Sequence, residues 1–199
     1  MRGRIVQPGV GELRIAEFSK ATPDQIRTEV ATLAKSGATR LVIDLRGTAF
    51  GEVESGLAAA RLFVPSGTLG YRQERGKTKD AVTAASGDGS IALPVAVLVD
   101  NGTSGAAELF AAALTGNQRG SLVGERTLGR AAQQRLVRLP DGSAMLLTHL
   151  IYLTPKEAVI NTKGLSPDVA VEQPDIEFGQ PAPSTDTTLD RAIEHLKTR

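Results

Sequence analysis

Few side chains in this sequence are equipped for covalent chemistry, and the candidates lie beside tight turns. Ser104 sits in the turn Asn101-Gly102-Thr103-Ser104-Gly105, between the apolar run Pro94-Val95-Ala96-Val97-Leu98-Val99-Asp100 and a helix reaching Leu114. Strand, tight turn and helix in that order bring functional groups to a helix N-terminus, where free N–H groups favour negative charge. A serine hydroxyl there becomes a nucleophile only with a base in reach. His149, the only histidine in the expected folded core, falls on a hairpin strand and is the candidate base. The competing reading is a helix-capping serine and an ordinary strand histidine. With no Cys in the chain, a thiol nucleophile, disulfides and thiolate metal sites are excluded. Two His and no Cys give no ligand cluster, so neither metal nor organic cofactor is expected.

The elements that must position these residues follow from periodicity. Gly9-Val10-Gly11-Glu12-Leu13-Arg14-Ile15 alternates at period two and predicts a strand with one buried face. Thr22 then suits an N-cap and Pro23 the first helical position, with Ile26, Val30, Leu33 and Ala34 on one face until Gly37. Leu41-Val42-Ile43-Asp44-Leu45 predicts a strand covered on both faces. Val53, Leu57, Ala60, Arg61 and Val64 have helical spacing, closed by Pro65 and Gly67, and the polar stretch 72–90 predicts an exposed hairpin or loop. Leu122-Val123-Gly124 predicts a short buried strand, and residues 133–139 and 143–153 alternate across Pro140-Asp141-Gly142 as a hairpin. The whole chain, 1–199, reads as one unit: a main body over 9–178, a Pro-rich linker over 179–185 and an amphipathic terminal helix over 186–199 carrying Leu189, Ile193 and Leu196.

Composition narrows the class. A chain of 199 residues with 41% hydrophobic and 4% aromatic residues, none of them Trp, predicts an α/β core of Val, Leu, Ile and Ala. The net charge is +1 and no basic stripe is present, so nucleic acid is not an expected partner. No apolar run approaches the about 20 residues of a membrane helix, and Met1-Arg2-Gly3-Arg4 lacks the apolar stretch of a signal peptide. The chain reads as soluble and not membrane-spanning, an excised domain whose targeting segment was left out.

Four segments in the right order carry a resemblance. Asp44-Leu45-Arg46-Gly47-Thr48-Ala49-Phe50-Gly51 is similar to a strand-turn pattern Asp-Leu-Arg-Gly-Asn-Pro-Gly-Gly. The stretch from Val123 to Gln134, then Tyr152-Leu153-Thr154-Pro155, then Gly164-Leu165-Ser166-Pro167-Asp168 complete the set. Together they resemble the C-terminal processing, or tail-specific, protease family, which cuts proteins near their carboxyl ends with a Ser-Lys dyad. The resemblance implies a Clp-protease/crotonase-type α/β fold: a mixed sheet of strand-strand-helix units flanked by helices. It also implies a polypeptide carboxyl-terminal tail as partner and an extracytoplasmic, periplasmic or secreted, setting for the parent protein. The PDZ domain of the family has no counterpart before residue 9.

The same resemblance places the dyad, and the dyad is missing. The family's nucleophile stands three residues before the glutamate matched by Glu108, which is Gly105, and its lysine directly follows the glycine matched by Gly129, which is Arg130. An arginine stays protonated in proteins and cannot accept a serine proton. Gln134 matches the family's lysine-orienting glutamine. Oxyanion-binding N–H groups are implied near Gly105 and Ala106, with a second donor at Gly51, where Phe50 replaces the first glycine of the family's pair. Arg130 beside the helix start at Gly105 would form a carboxylate-binding nest; as an alternative it is a surface arginine. Asp44 and Arg46 read as a structural ion pair or turn cap rather than a catalytic pair, Glu108 and Glu125 as helix-start and loop-fixing carboxylates, and Gln134 equally as a solvent-facing strand residue. The expected function is a degenerate member that binds tails without cutting them. The alternatives are a serine endopeptidase with Ser104 as displaced nucleophile, or a lipophilic-ligand binder like the retinoid-binding proteins of the eye that share the fold.

Overall fold

The computed structural model describes residues 1–172 and 185–198. In chain order its elements are β1 (Arg2–Gln7), β2 (Val10–Arg14), β3 (Glu17–Phe18), α1 (Thr22–Lys35), β4 (Arg40–Asp44), β5 (Phe50–Gly51), α2 (Val53–Ala60), β6 (Thr68–Glu74) and β7 (Asp80–Thr83). There follow β8 (Val95–Val99), α3 (Ala106–Gly116), β9 (Gly120–Gly124), β10 (Ala132–Arg138), β11 (Ala144–Leu153), β12 (Val169–Ala170) and α4 (Thr187–Lys197). The main sheet runs β1-β2-β4-β8-β9-β12, parallel except where β1 pairs antiparallel with β2 at its edge.

Burial on both faces explains the nearly continuous apolar runs of β4 and β8. Alternate residues Leu13, Leu41, Ile43, Val95, Val97 and Leu122 join the core beneath α1, α2 and α3, where Phe110 meets Phe18 and Phe63 with ring centroids 5.6 Å away in each case. The opposite alternates, Val10, Val42, Ala96, Leu98 and Val123, pack against Leu189, Ala192, Ile193 and Leu196 of α4. A second, antiparallel sheet, β10-β11-β6-β7, carries the predicted hairpin over 133–153 and the β6–β7 hairpin, which begins at Thr68, ahead of the polar stretch 72–90. No helix among the described residues is long and apolar enough to cross a membrane.

Two local expectations change. β2 is buried on both sides of its plane, because Glu12 is itself buried, ion-paired with Arg4 directly opposite on β1, a use of a charged residue that period-two alternation reads as solvent exposure. β1 itself has no alternating apolar signal and escaped prediction. Thr22 is the first helical residue and Ala21 the N-cap; the buried Thr22 hydroxyl accepts the Ser19 N–H at 2.8 Å, closing the turn before the helix instead of capping it. The expected linker lies, but for Thr185, outside the described residues.

The terminal helix is anchored by a charged clamp. Asp44, at the end of β4, accepts the Arg46 N–H at 3.0 Å and the Arg46 side chain at 3.0 and 2.9 Å, and the other side of that guanidinium forks onto Asp186 at 2.8 and 2.7 Å. Asp186 also caps α4 by accepting the Leu189 N–H at 3.0 Å. Asp44 and Arg46 therefore form the structural pair expected of them. Burial opposes ionisation of Asp186 most strongly, yet the Arg46 fork and the Leu189 N–H together hold it below its ordinary value. A depressed carboxyl pKa contributes stability above the unfolded value of 3.8 and loses it as pH falls through the folded value, so the clamp should weaken on acidification below about 4.

Arg46→Ala strands the buried Asp44 carboxylate and should cost about 3 kcal/mol in urea unfolding, with faster amide exchange in α4. Arg46→Lys, which keeps the charge without the fork, should cost less. A wild-type midpoint for Arg46→Ala would show that the clamp contributes nothing.

Candidate active site

The centre of the site is a buried carboxylate. Glu108, in the first turn of α3, is fully buried and accepts four hydrogen bonds. One oxygen takes the Thr127 hydroxyl at 2.5 Å and the Gly129 N–H at 2.7 Å. The other takes the Gly105 N–H at 2.9 Å and the Arg130 N–H at 2.8 Å. A single oxygen thus holds the backbones of positions 105 and 130 side by side, although 25 residues separate them (130 minus 105). Glu108 is at once the helix-start and the loop-fixing carboxylate.

The turn feeding α3 is built as tightly. Asp100 accepts the N–H groups of Gly47 at 2.8 Å and Gly102 at 3.0 Å, and the buried Thr103 hydroxyl bridges Asp100 and the Leu45 carbonyl. Ser104 donates its N–H to the Thr48 carbonyl at 2.9 Å, while the Thr103 carbonyl accepts the Leu128 N–H at 3.0 Å. Loops 45–51 and 127–130 are thereby drawn to either side of Gly105. Gly105 has φ 61° and ψ −116°, the sharp strand-to-helix conformation that aims a side chain outward and that residues other than glycine rarely adopt. A Cβ added there would meet no heavy atom within 4 Å, so the position has room for a side chain it does not carry.

Residue by residue, the predicted site is partly assembled. Arg130 is exposed, and it lines a cleft of about 450 Å³ with Ala132, Gln134, Thr148 and Asn161. Arg130 and Gln134 are therefore together, and Gln134, exposed on β10, donates to the Thr148 hydroxyl only at 3.5 Å. The Gly105 N–H, expected to bind an oxyanion, is instead turned inward to Glu108, because the buried carboxylate requires it. The Ala106 N–H remains as a donor that the helix itself does not use, whereas the Ala107 N–H is taken by the Ser104 carbonyl at 3.3 Å. Gly51 is locked in β5 beside β3: a Cβ there would lie 2.1 Å from the Phe18 carbonyl oxygen, and Phe50 next to it is 77% exposed.

Ser104 and His149 make no hydrogen bond to each other. Ser104 is 4% exposed, and among the described residues its hydrogen bonds are those of its backbone. His149 is the extra residue of the bulge in β11, where Gln133 pairs with Leu150 and Gln134 with Thr148, and its Nδ1 is buried without a partner. No group of three or more His, Cys, Asp and Glu capable of holding a metal occurs among the described residues.

Sequence reasoning missed a second network. The Tyr152 hydroxyl donates to Glu54 at 2.5 Å and accepts from Gln133 at 2.6 Å, and Arg72 forks onto Glu54 at 2.8 and 2.6 Å. It ties α2, which follows loop 45–51, to β10 and β11, which follow loop 127–130. Burial, then Glu54, pushes the Tyr152 phenol well above its ordinary range, so it stays a donor; Arg72 foremost holds Glu54 below its ordinary value. A tyrosine at a buried strand end was the available signal, but its partners are 98 and 19 residues away.

The comparisons with known proteins agree with this framework. The sequence profile of peptidase family S41 matches residues 9–171. The carboxyl-terminal-processing protease of Synechocystis sp. is 35% identical over 192 residues, covering 96% of this chain and 45% of the relative. The carboxy-terminal processing protease CtpA of Bacillus subtilis is 34% identical over 166 residues, covering 83% and 36%. The solved photosystem II D1 C-terminal processing protease superposes with a TM-score of 0.73 at 35% identity, covering 82% of this chain and 42% of the other. The chain spans less than half the length of these relatives. The fold is the Clp-protease-like α/β fold.

Glu108→Ala leaves three N–H groups and a hydroxyl without an acceptor in a buried site, and should lower unfolding free energy by about 3 kcal/mol or more, with Glu108→Gln intermediate. Chemical denaturation followed by circular dichroism checks this; equal stability of all three would remove Glu108 from its organising role. Because Glu54 is depressed, the β10–β11 hairpin should lose protection as pH falls below the ordinary carboxyl value of 4.5, and Tyr152→Phe should shift that loss to higher pH, read by hydrogen exchange.

Proposed function

The chain belongs to peptidase family S41, and on that footing we propose that it is a member in which cleavage has been given up and recognition kept: it binds polypeptide carboxyl-terminal tails without hydrolysing them. The observation that carries this reading is the convergence of Gly105 and Arg130 on one oxygen of Glu108. On this reading the two backbones mark the nucleophile and base positions, but residue 105 offers no hydroxyl and residue 130 carries a guanidinium in place of an amine.

What the pair can do is hold a carboxylate. The Arg130 guanidinium is exposed in the cleft with Gln134, Thr148 and Asn161, and a planar fork of donors matches a terminal carboxylate in charge and shape. The start of α3 adds the Ala106 N–H and the positive end of the helix dipole at neighbouring backbone positions. Reading Ser104 as a displaced nucleophile is disfavoured by its burial and by the missing hydrogen bond to any base. For the longer parent protein, the tail partner and an extracytoplasmic setting follow as part of the same proposal.

The chain should leave casein intact from acid to alkaline pH, and Ser104→Ala should change nothing. A peptide with a free carboxyl terminus should bind, its amidated form more weakly, and Arg130→Ala should weaken binding about tenfold, the loss of one charge-assisted interaction. Gly105→Ser combined with Arg130→Lys should regain slow cleavage, because the open space at residue 105 and the backbone geometry are already present. Casein cleavage by the unaltered chain that Ser104→Ala abolishes would replace this reading with an active peptidase; equal binding of the free and amidated peptides would remove carboxylate recognition.

A further inference from the structure

The face of the main sheet that α4 covers is apolar over only part of its width. Past the N-cap of α4, toward the β1 edge, Arg2, Arg4, Glu12, Arg14, Asp44 and Arg46 surround a cleft of about 270 Å³. Internal ion pairs balance only some of this charge. Arg4 is engaged with Glu12, and Arg46 with Asp44 and Asp186. Arg14 uses a single nitrogen, Nη1, which lies 3.1 Å from the Asp44 carbonyl oxygen, 3.3 Å from the Thr48 hydroxyl and 3.5 Å from the Asp44 carboxylate. Its Nε and Nη2 donate to nothing among the described residues, and the exposed Arg2 guanidinium has no partner there. Arg2 and Arg14 are also directly opposite each other on the β1–β2 ladder, a placement in which like charges lower stability.

We propose that this cleft binds a small dianionic oxyanion, of phosphate or dicarboxylate type, between Arg2 and Arg14. Two guanidiniums with unengaged donors present the paired forks that such anions accept, and a dianion converts their repulsion into two attractions. The carboxylates that would compete for them, Glu12 and Asp44, are buried and already neutralised by Arg4 and Arg46. The cleft shares no lining residue with the one at Arg130, so this site is separate from the tail-binding site proposed above. It abuts the same turn nonetheless: Arg14 donates to the Thr48 hydroxyl, and the Thr48 carbonyl accepts the Ser104 N–H.

The test is thermal unfolding of the chain in titrations of inorganic phosphate and, separately, of succinate, with ionic strength held constant by sodium chloride. Saturable binding raises the midpoint along a curve that levels off, whereas general salt exclusion does not saturate. A saturating rise is expected with one or both anions. Arg2→Gln, at an exposed position without a partner among the described residues, should raise the half-saturating concentration about tenfold, as for the loss of one charge-assisted hydrogen bond, and the same shift is expected when both titrations are run in Arg130→Ala, where the tail site no longer contributes. Saturation by phosphate alone identifies a phosphate-type ligand and saturation by succinate alone a dicarboxylate. No saturating rise with either anion, or one that persists unchanged in Arg2→Gln, overturns the proposal.

Discussion

A buried negative charge at Glu108 is the constraint around which the site is organised. Removing a carboxylate from water is costly unless its oxygens are met by donors, and here they are met by four. Three of those donors are backbone N–H groups, so satisfying the charge dictates where chain segments run rather than where side chains point. Thr127 extends the hold outward: its hydroxyl also accepts the Leu165 N–H at 2.8 Å, bringing the segment that leads to β12 into the same cluster. Loop 127–130, the start of α3 and the stretch around Leu165 are in this way one cooperative unit, in which loss of a single partner leaves others unsatisfied.

This explains how, on the proposed reading, the site keeps its shape without reacting groups at residues 105 and 130. Nothing that fixes residues 105 and 130 depends on their side chains. Gly105 is set by its own N–H on Glu108 and by the Asp100, Thr103 and Thr48 contacts of the preceding turn, and Arg130 by its N–H on Glu108. Glycine even relieves the strain that a φ of 61° would impose on another residue, so its presence at the turn is favourable for folding while being incompatible with nucleophilic attack. Scaffold and chemistry are carried by different atoms of the same residues.

A different kind of interaction governs the far face of the main sheet. There α4 is held by apolar packing on Val42, Ala96, Leu98 and Val123 and by the Asp44–Arg46–Asp186 clamp at its start. Charges in that clamp are partly buried and mutually saturated, so it acts as a fixed joint. In the adjoining cleft, Arg2 and the outer nitrogens of Arg14 are not saturated by any described residue, and that contrast distinguishes a structural cluster from one open to a ligand.

Much of this architecture was legible in the residues alone, because it rests on local signals. The apolar runs at 95–99 and 122–124, the amphipathic spacing of α1 and α4 and the Pro140-Asp141-Gly142 turn each specify their element through short-range burial and backbone preference. The absence of a hydroxyl at residue 105 and of a titratable amine at 130 is likewise a matter of residue type, decided before any folding. What the sequence could not decide is which atoms meet across long separations: that one oxygen of Glu108 joins Gly105 to Arg130, that Glu12 is buried because Arg4 faces it, that Tyr152 finds Glu54, and that His149 falls in a bulge with its Nδ1 unpartnered. Those meetings depend on strand register and loop closure, and only the tertiary structure sets them, since the free energy of a buried polar group is determined by neighbours that are distant in the chain.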